Sequence, residues 1–164
     1  MKKLVAIFFT IFCSLFVSVA QTLNVRLGSV TYQFPASQTG DMTYSEGKTV
    51  TIMDKTFTLA NVDAMTIDNS EVTDNLVRVE YQTSSATVYV AGNVAQYVTA
   101  TVNGAHVTIS QTNTDLVDGD EITYQLSGST SYGSLTLDGS FKCTVSLAGL
   151  TLNNPNGAAI NKLT

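Results

Sequence analysis

Apolar and polar residues alternate along almost the whole chain after residue 21. Val77, Val79 and Tyr81 share one side of the segment that begins at Leu76. Ala86, Val88 and Val90 share one side of the next, and the same period recurs at Val98, Ala100 and Val102, at Ala105, Val107 and Ile109, at Ile122, Tyr124 and Leu126, and at Leu135 and Leu137. Successive side chains of a strand point to opposite faces, so a period of two marks half-buried β-strands. Upstream, Val25 to Phe34 alternates loosely. Thr49 to Leu59 carries Val50, Ile52, Phe57 and Leu59 around a turn expected at Asp54-Lys55, and Ala64 to Ile67 reads as a short strand. Leu150 and Leu152 close the series. No window of a dozen residues keeps helical spacing with caps, and only Ala60-Asn61-Val62-Asp63 fits a helical turn. The expected fold class is all-β.

The corners are less decided. Thr99 to Ile109 and Ser134 to Val145 are alike: each is a strand, then Asn103-Gly104 or Asp138-Gly139, then a strand. Asn-Gly and Asp-Gly favour two-residue hairpins. They also suit the left-handed corners between coils of a β-solenoid. Periodicity is the same for both. Phe141, Cys143, Val145 and Leu147 fall on one face of the last long strand, which is expected to join the core. A polar, acidic stretch from Asp68 to Asn75 marks a boundary between a small antiparallel unit and the shorter, more regular strands after it.

The chain begins with Met1-Lys2-Lys3, an apolar run from Leu4 to Val17, and Ser18-Val19-Ala20 ahead of Gln21. This is the pattern of a secretory signal peptide over residues 1–20. The run is short of the roughly 20 residues a membrane span needs, so no integral membrane segment is expected after cleavage. Cys13 lacks the small residue that precedes a lipidated cysteine. Cys143 is then the one cysteine left, which excludes an intramolecular disulfide. The 164 residues are 44% apolar and 13% charged, which excludes a disordered tail, and the formal net charge is −5. Removing Lys2 and Lys3 leaves six basic against thirteen acidic residues. Phosphate binding needs clustered Lys and Arg, so no nucleic-acid partner is expected.

Three adjoining stretches carry a family resemblance: Glu121 to Gly128, Gly133 to Gly139, and Thr144 to Ile160. Together with Val94 to Ile109 they resemble a family of secreted bacterial carbohydrate-binding domains. The fold of that family is a right-handed parallel β-helix like that of polysaccharide lyases. The likeness covers Leu76 to Ile160, the N-terminal part of the family's domain. Leu23 to Asp68 is similar, more weakly, to a β-rich segment found ahead of such domains. The resemblance implies binding of polysaccharide, including acidic plant polysaccharide, with calcium held along the β-helix. It places most ligand and calcium positions in later coils. The expected organisation is a signal peptide over 1–20, a small N-terminal β segment over 21–70, and the truncated N-terminal part of a β-helix over 71–164, with a β-sandwich as the alternative.

Sugars present apolar C–H faces and hydroxyl edges, so a binder needs exposed aromatic planes beside amides, carboxylates and hydroxyls. Tyr89 and Tyr97 are out of phase with their apolar neighbours, and Tyr132 sits in a Ser- and Gly-rich loop. These three are the candidate sugar-binding residues, although Tyr is also ordinary on strand surfaces. Tyr81 and Tyr124 are in phase with the core. Asp115, Asp118 and Asp120 crowd the stretch before Glu121 and are the candidate calcium ligands, the alternative being a solvated acidic turn. Asn153, Asn154 and Asn156 fit a corner ladder. His106 points outward with no metal or triad partner in the sequence. The expectation is an exported, non-catalytic carbohydrate-binding protein at the cell surface or beyond it. The alternatives are a structural or adhesive β module and the scaffold of a uronate lyase.

Overall fold

The structure, a computed structural model, describes residues 20–114 and 121–163. The signal peptide expected over 1–20 lies outside the described residues except for Ala20, and Asp115, Asp118 and Asp120 lie outside them too. The described residues are all-β, with two single 3₁₀ turns and no α-helix. No helix among them is long and apolar enough to cross a membrane.

The loosely alternating segment from Val25 is a hairpin, β1 (Thr22–Leu27) and β2 (Val30–Pro35), turning at Gly28-Ser29. A three-stranded antiparallel sheet follows: β3 (Thr43–Ser45), β4 (Thr49–Ile52) and β5 (Lys55–Thr58). Its second turn falls at Met53-Asp54, one residue earlier than expected. The expected helical turn is a 3₁₀ turn at Leu59–Asn61, and β6 (Ala64–Asp68) returns antiparallel to β1. β7 (Leu76–Gln82) and β8 (Ser85–Ala91) form the next hairpin, and β8 lies parallel to β2. Strands from either side of the Asp68–Asn75 stretch therefore belong to one seven-stranded sheet.

From there the chain alternates between two sheets. β9 (Val98–Asn103) and β10 (His106–Gln111) lie in the second, β11 (Ile122–Thr130) in the first, β12 (Ser134–Asp138) in the second, β13 (Cys143–Leu152) in the first and β14 (Ile160–Leu163) in the second. Each return pairs parallel to the previous visit, giving ladders β7-β11-β13 and β10-β12-β14. The two similar corners differ for this reason. Asn103-Gly104 lies at a hairpin whose two-residue turn is Gly104-Ala105, with Gly104 at φ +60°, whereas the strands on either side of Asp138-Gly139 go to different sheets. Neither sheet closes on itself, and their edges are β13 and β6, and β14 and β9.

One apolar cluster draws on β1, β2, β4, β5 and β7 to β12, with Met65 of β6 and Leu150 and Leu152 of β13 packed against it. Tyr81 and Tyr124 are buried in it, as their phase indicates. Of the four residues expected to join the core, Cys143 is half-buried and packs against it, and Phe141 is half-buried apart from it; for Val145 and Leu147 the expectation is corrected. Val77, Tyr124 and Val145 stand in one row, and Val79, Leu126 and Leu147 in the next. Val79 and Leu126 are fully buried, but Leu147 is 64% exposed and Val145 38%. Their faces point the expected way. Among the described residues no further strand covers them, because β13 is an edge strand.

Candidate functional site

Two polar surfaces bring candidate residues together. The first is the outward face of the seven-stranded sheet. Alternation turns Val77 and Val79 inward and Arg78 outward, and the β7–β8 register sets Arg78 directly beside Tyr89. The guanidinium lies 4.5 Å from the Tyr89 ring centroid, a cation–π contact. Arg78 also donates to Glu80 Oε1 and to Gln33 Oε1, each at 3.2 Å. Gln33 donates in turn to Asn24 (3.0 Å), and Asn24 donates to Asp68 (3.0 Å). This chain crosses from β7 to β6 and leaves Arg78 with a fixed orientation. Tyr89 is half-buried beneath it, and one face of its ring carries the guanidinium. Serine hydrogen bonds to Asp68, from both the Ser70 hydroxyl and amide, hold that carboxyl below its usual range.

The second surface is a corner where three turns meet. Tyr132, between β11 and β12, is 53% exposed. Asn156 donates to its hydroxyl (2.8 Å), and its ring meets the His106 ring edge to face, 5.3 Å between centroids. The Tyr132 amide is held by Thr130 Oγ1, and the Asn156 amide by Asn154 Oδ1. An exposed ring is thereby fixed between an amide and an imidazole. Asn153 and Asn154 bond backbone carbonyls at Ser131 and Ala158, the corner role expected of them. Tyr97 is half-buried ahead of β9, and its carbonyl accepts from the Thr112 amide and hydroxyl. Among the described residues, no ring pair joins any two of Tyr89, Tyr97 and Tyr132.

His106 has a partner that its sequence position does not reveal. Nδ1 lies 2.9 Å from Ser134 Oγ, because parallel pairing places His106 opposite Ser134 across 28 residues. A histidine beside a serine is the start of an acyl-transfer site, which also needs amides aimed at the developing oxyanion. Here the adjacent amides are engaged: Ser134 N–H donates to Ala105 O and Gly133 N–H to Asn153 O. The pair is a hydrogen bond between neighbouring parallel strands β10 and β12. Burial pushes the Cys143 thiol pKa up, against an opposing pull from Lys162, which leaves a poor nucleophile. Among the described residues no group of three or more His, Cys, Asp or Glu could hold a metal ion.

Arg78, Gln33 and Ser134 escaped the sequence reading, and Asn156 entered it as a corner residue and not as a partner of Tyr132. An outward phase was the one available signal for Arg78. Its pairing with Tyr89 depends on which strand lies alongside. Comparison with family models, with curated proteins and with solved structures finds no match to this chain.

Proposed function

We propose that the chain is an exported, non-catalytic carbohydrate-binding protein, organised from about residue 71 as a right-handed parallel β-helix behind a small antiparallel segment. Support for the architecture comes from the two parallel ladders, β7-β11-β13 and β10-β12-β14. The observation that carries the function is the Tyr132 ring, exposed yet fixed by Asn156 and His106. A half-open aromatic plane beside hydrogen-bonding groups suits the C–H face and hydroxyl edge of a pyranose. Asn156 donates to the phenol oxygen, so the phenol proton is left to donate to a sugar hydroxyl. Calcium assistance belongs to the same proposal: Asp115, Asp118 and Asp120 offer the hard oxygen ligands that calcium takes, and the cation would bridge to an acidic polymer.

The test is affinity electrophoresis and a glycan array with the purified chain and with Tyr132→Ala. Truncating a central aromatic contact costs more than about 1 kcal/mol, or about fivefold in affinity. Equal binding by the variant removes Tyr132 from the site, and no glycan signal at high protein concentration removes the function. Calcium is tested separately with excess chelator, which should abolish binding of pectic polymers alone. An adhesive module is the second reading. The exposed Val145, Leu147, Ile160 and Leu163 on edge strands β13 and β14 favour it, and it predicts protein association without any glycan signal.

A further inference from the structure

A cleft of about 380 Å³ opens between the outward face of the seven-stranded sheet and the segment 70–73 that crosses it. Its floor holds Gln33, Arg78, Tyr89 and Gln125, and its wall includes Glu71 and Thr73. The volume is within the range of small-ligand sites. The floor is preorganised, since Arg78 is fixed by Glu80, Gln33 and the Tyr89 ring, and Gln33 by Asn24. The wall is pinned at both ends. At one end, Ser70 bonds to Asp68 and accepts from Thr22; at the other, the Asn75 amide donates to Asn93.

We infer that this cleft is a binding subsite for a neutral, hydroxyl-rich ligand, such as a segment of an uncharged oligosaccharide. A sugar hydroxyl both donates and accepts. The cleft supplies both kinds of partner, in the remaining Arg78 N–H groups, the Gln125 amide and the Glu71 carboxylate. Gln125 makes no side-chain hydrogen bond among the described residues, so both ends of its amide are open to a ligand. An anionic chain fits poorly. The one guanidinium of the cleft is already neutralised by Glu80, and Glu71 would face the ligand's carboxylates. The net charge of −5 adds repulsion. Tyr89 then serves as the bed for Arg78, a positioning role, and the sugar meets the guanidinium and the amides. The proposal rests on glycan binding as the chain's function but not on the Tyr132 corner.

The test is isothermal titration of the purified chain in excess chelator, which removes the separate calcium-bridged route to acidic polymers, with neutral hexasaccharides of glucose, xylose and mannose, and with hexagalacturonate, repeated on Gln125→Ala, Glu71→Gln and Tyr132→Ala. The expected result is binding of at least one neutral hexasaccharide, weakened about five- to tenfold in Gln125→Ala, with hexagalacturonate at least about tenfold weaker. Glu71→Gln should narrow that gap at low salt. The Gln125 variant loses no internal hydrogen bond, and an unchanged melting curve confirms that its fold is intact. Failure of all three neutral ligands overturns the inference, as does tighter binding of hexagalacturonate. Binding lost in Tyr132→Ala but kept in Gln125→Ala overturns the cleft and leaves the corner standing. The reverse pattern overturns the corner and supports the cleft.

Discussion

Gly128 of β11 lies close against the backbone of β7, and replacing it with alanine measures how tightly the parallel ladder is built. The residue pairs with Tyr81 across the two strands, at the register shift that separates Leu126 from Gly128. Its φ is +86°, in the left-handed region. A Cβ there would lie 2.9 Å from the Tyr81 carbonyl carbon and 3.0 Å from its nitrogen, and closer still to its oxygen. All three are backbone atoms, so no side chain can swing aside. The backbone strain costs about 1–2 kcal/mol. Forcing β7 and β11 apart adds about 1–3 kcal/mol, as overpacking does elsewhere. The expected loss for Gly128→Ala is therefore about 2–5 kcal/mol, a large share of the stability of a domain. Gly149→Ala is the control. Its φ is +73°, but nothing lies within 4 Å of the added Cβ, so it bears the strain alone. Both changes stiffen the unfolded chain equally, and that effect cancels between them. Urea unfolding followed by circular dichroism, with the same denaturant slope for both variants, reads the difference. The strain is common to both, so the expected gap is the overpacking cost, about 1–3 kcal/mol. Two variants within about 0.5 kcal/mol of each other would refute the close backbone approach.

Further expectations concern the core and its polar groups. Leu126→Ala should cost about 2–5 kcal/mol and Leu147→Ala under about 1, although the two stand in one row, since the first is fully buried and the second 64% exposed; equal losses in urea unfolding would mean that β13 is covered. Tyr124→Phe removes the donor to Gln111 Oε1 (2.8 Å) inside the core and should cost about 1–3 kcal/mol by thermal melting, whereas an unchanged melt would show that water replaces the phenol. Burial raises the phenol pKa values of Tyr32, Tyr81 and Tyr124 above the ordinary 10.0, with the Cys143 charge adding to burial at Tyr124. The unfolded chain ionises first, so their contribution to stability is intact below about pH 10 and falls as pH rises through the raised values. Lys55, whose pKa burial lowers, opposes this trend, but three phenols outweigh one amine. The urea midpoint should drop as pH rises above about 10, and a flat or rising midpoint there would contradict that sum.

Alternation alone carried most of the strand positions, because the side of a strand that meets the core has to be apolar wherever the chain runs. Val77, Val79 and Tyr81, or Ile122, Tyr124 and Leu126, read correctly for that reason. Partner choice was not readable there. A period of two is common to parallel and antiparallel strands, so Asn103-Gly104 and Asp138-Gly139 looked alike, yet one lies at a hairpin and the other links two sheets. Burial on β13 was not readable either. Val145 and Leu147 carry the pattern of core residues, but burial is a property of what lies alongside, and among the described residues β13 has a neighbour on one side only. The same holds for the candidate surfaces. The sequence determined that Tyr89 and Tyr132 point away from the core and that the chain carries more acid than base. Tertiary structure decided that Arg78 covers Tyr89 and that His106 and Asn156 hold Tyr132, because those contacts join residues 11, 26 and 24 positions apart through strand register and corner stacking, which local alternation does not encode.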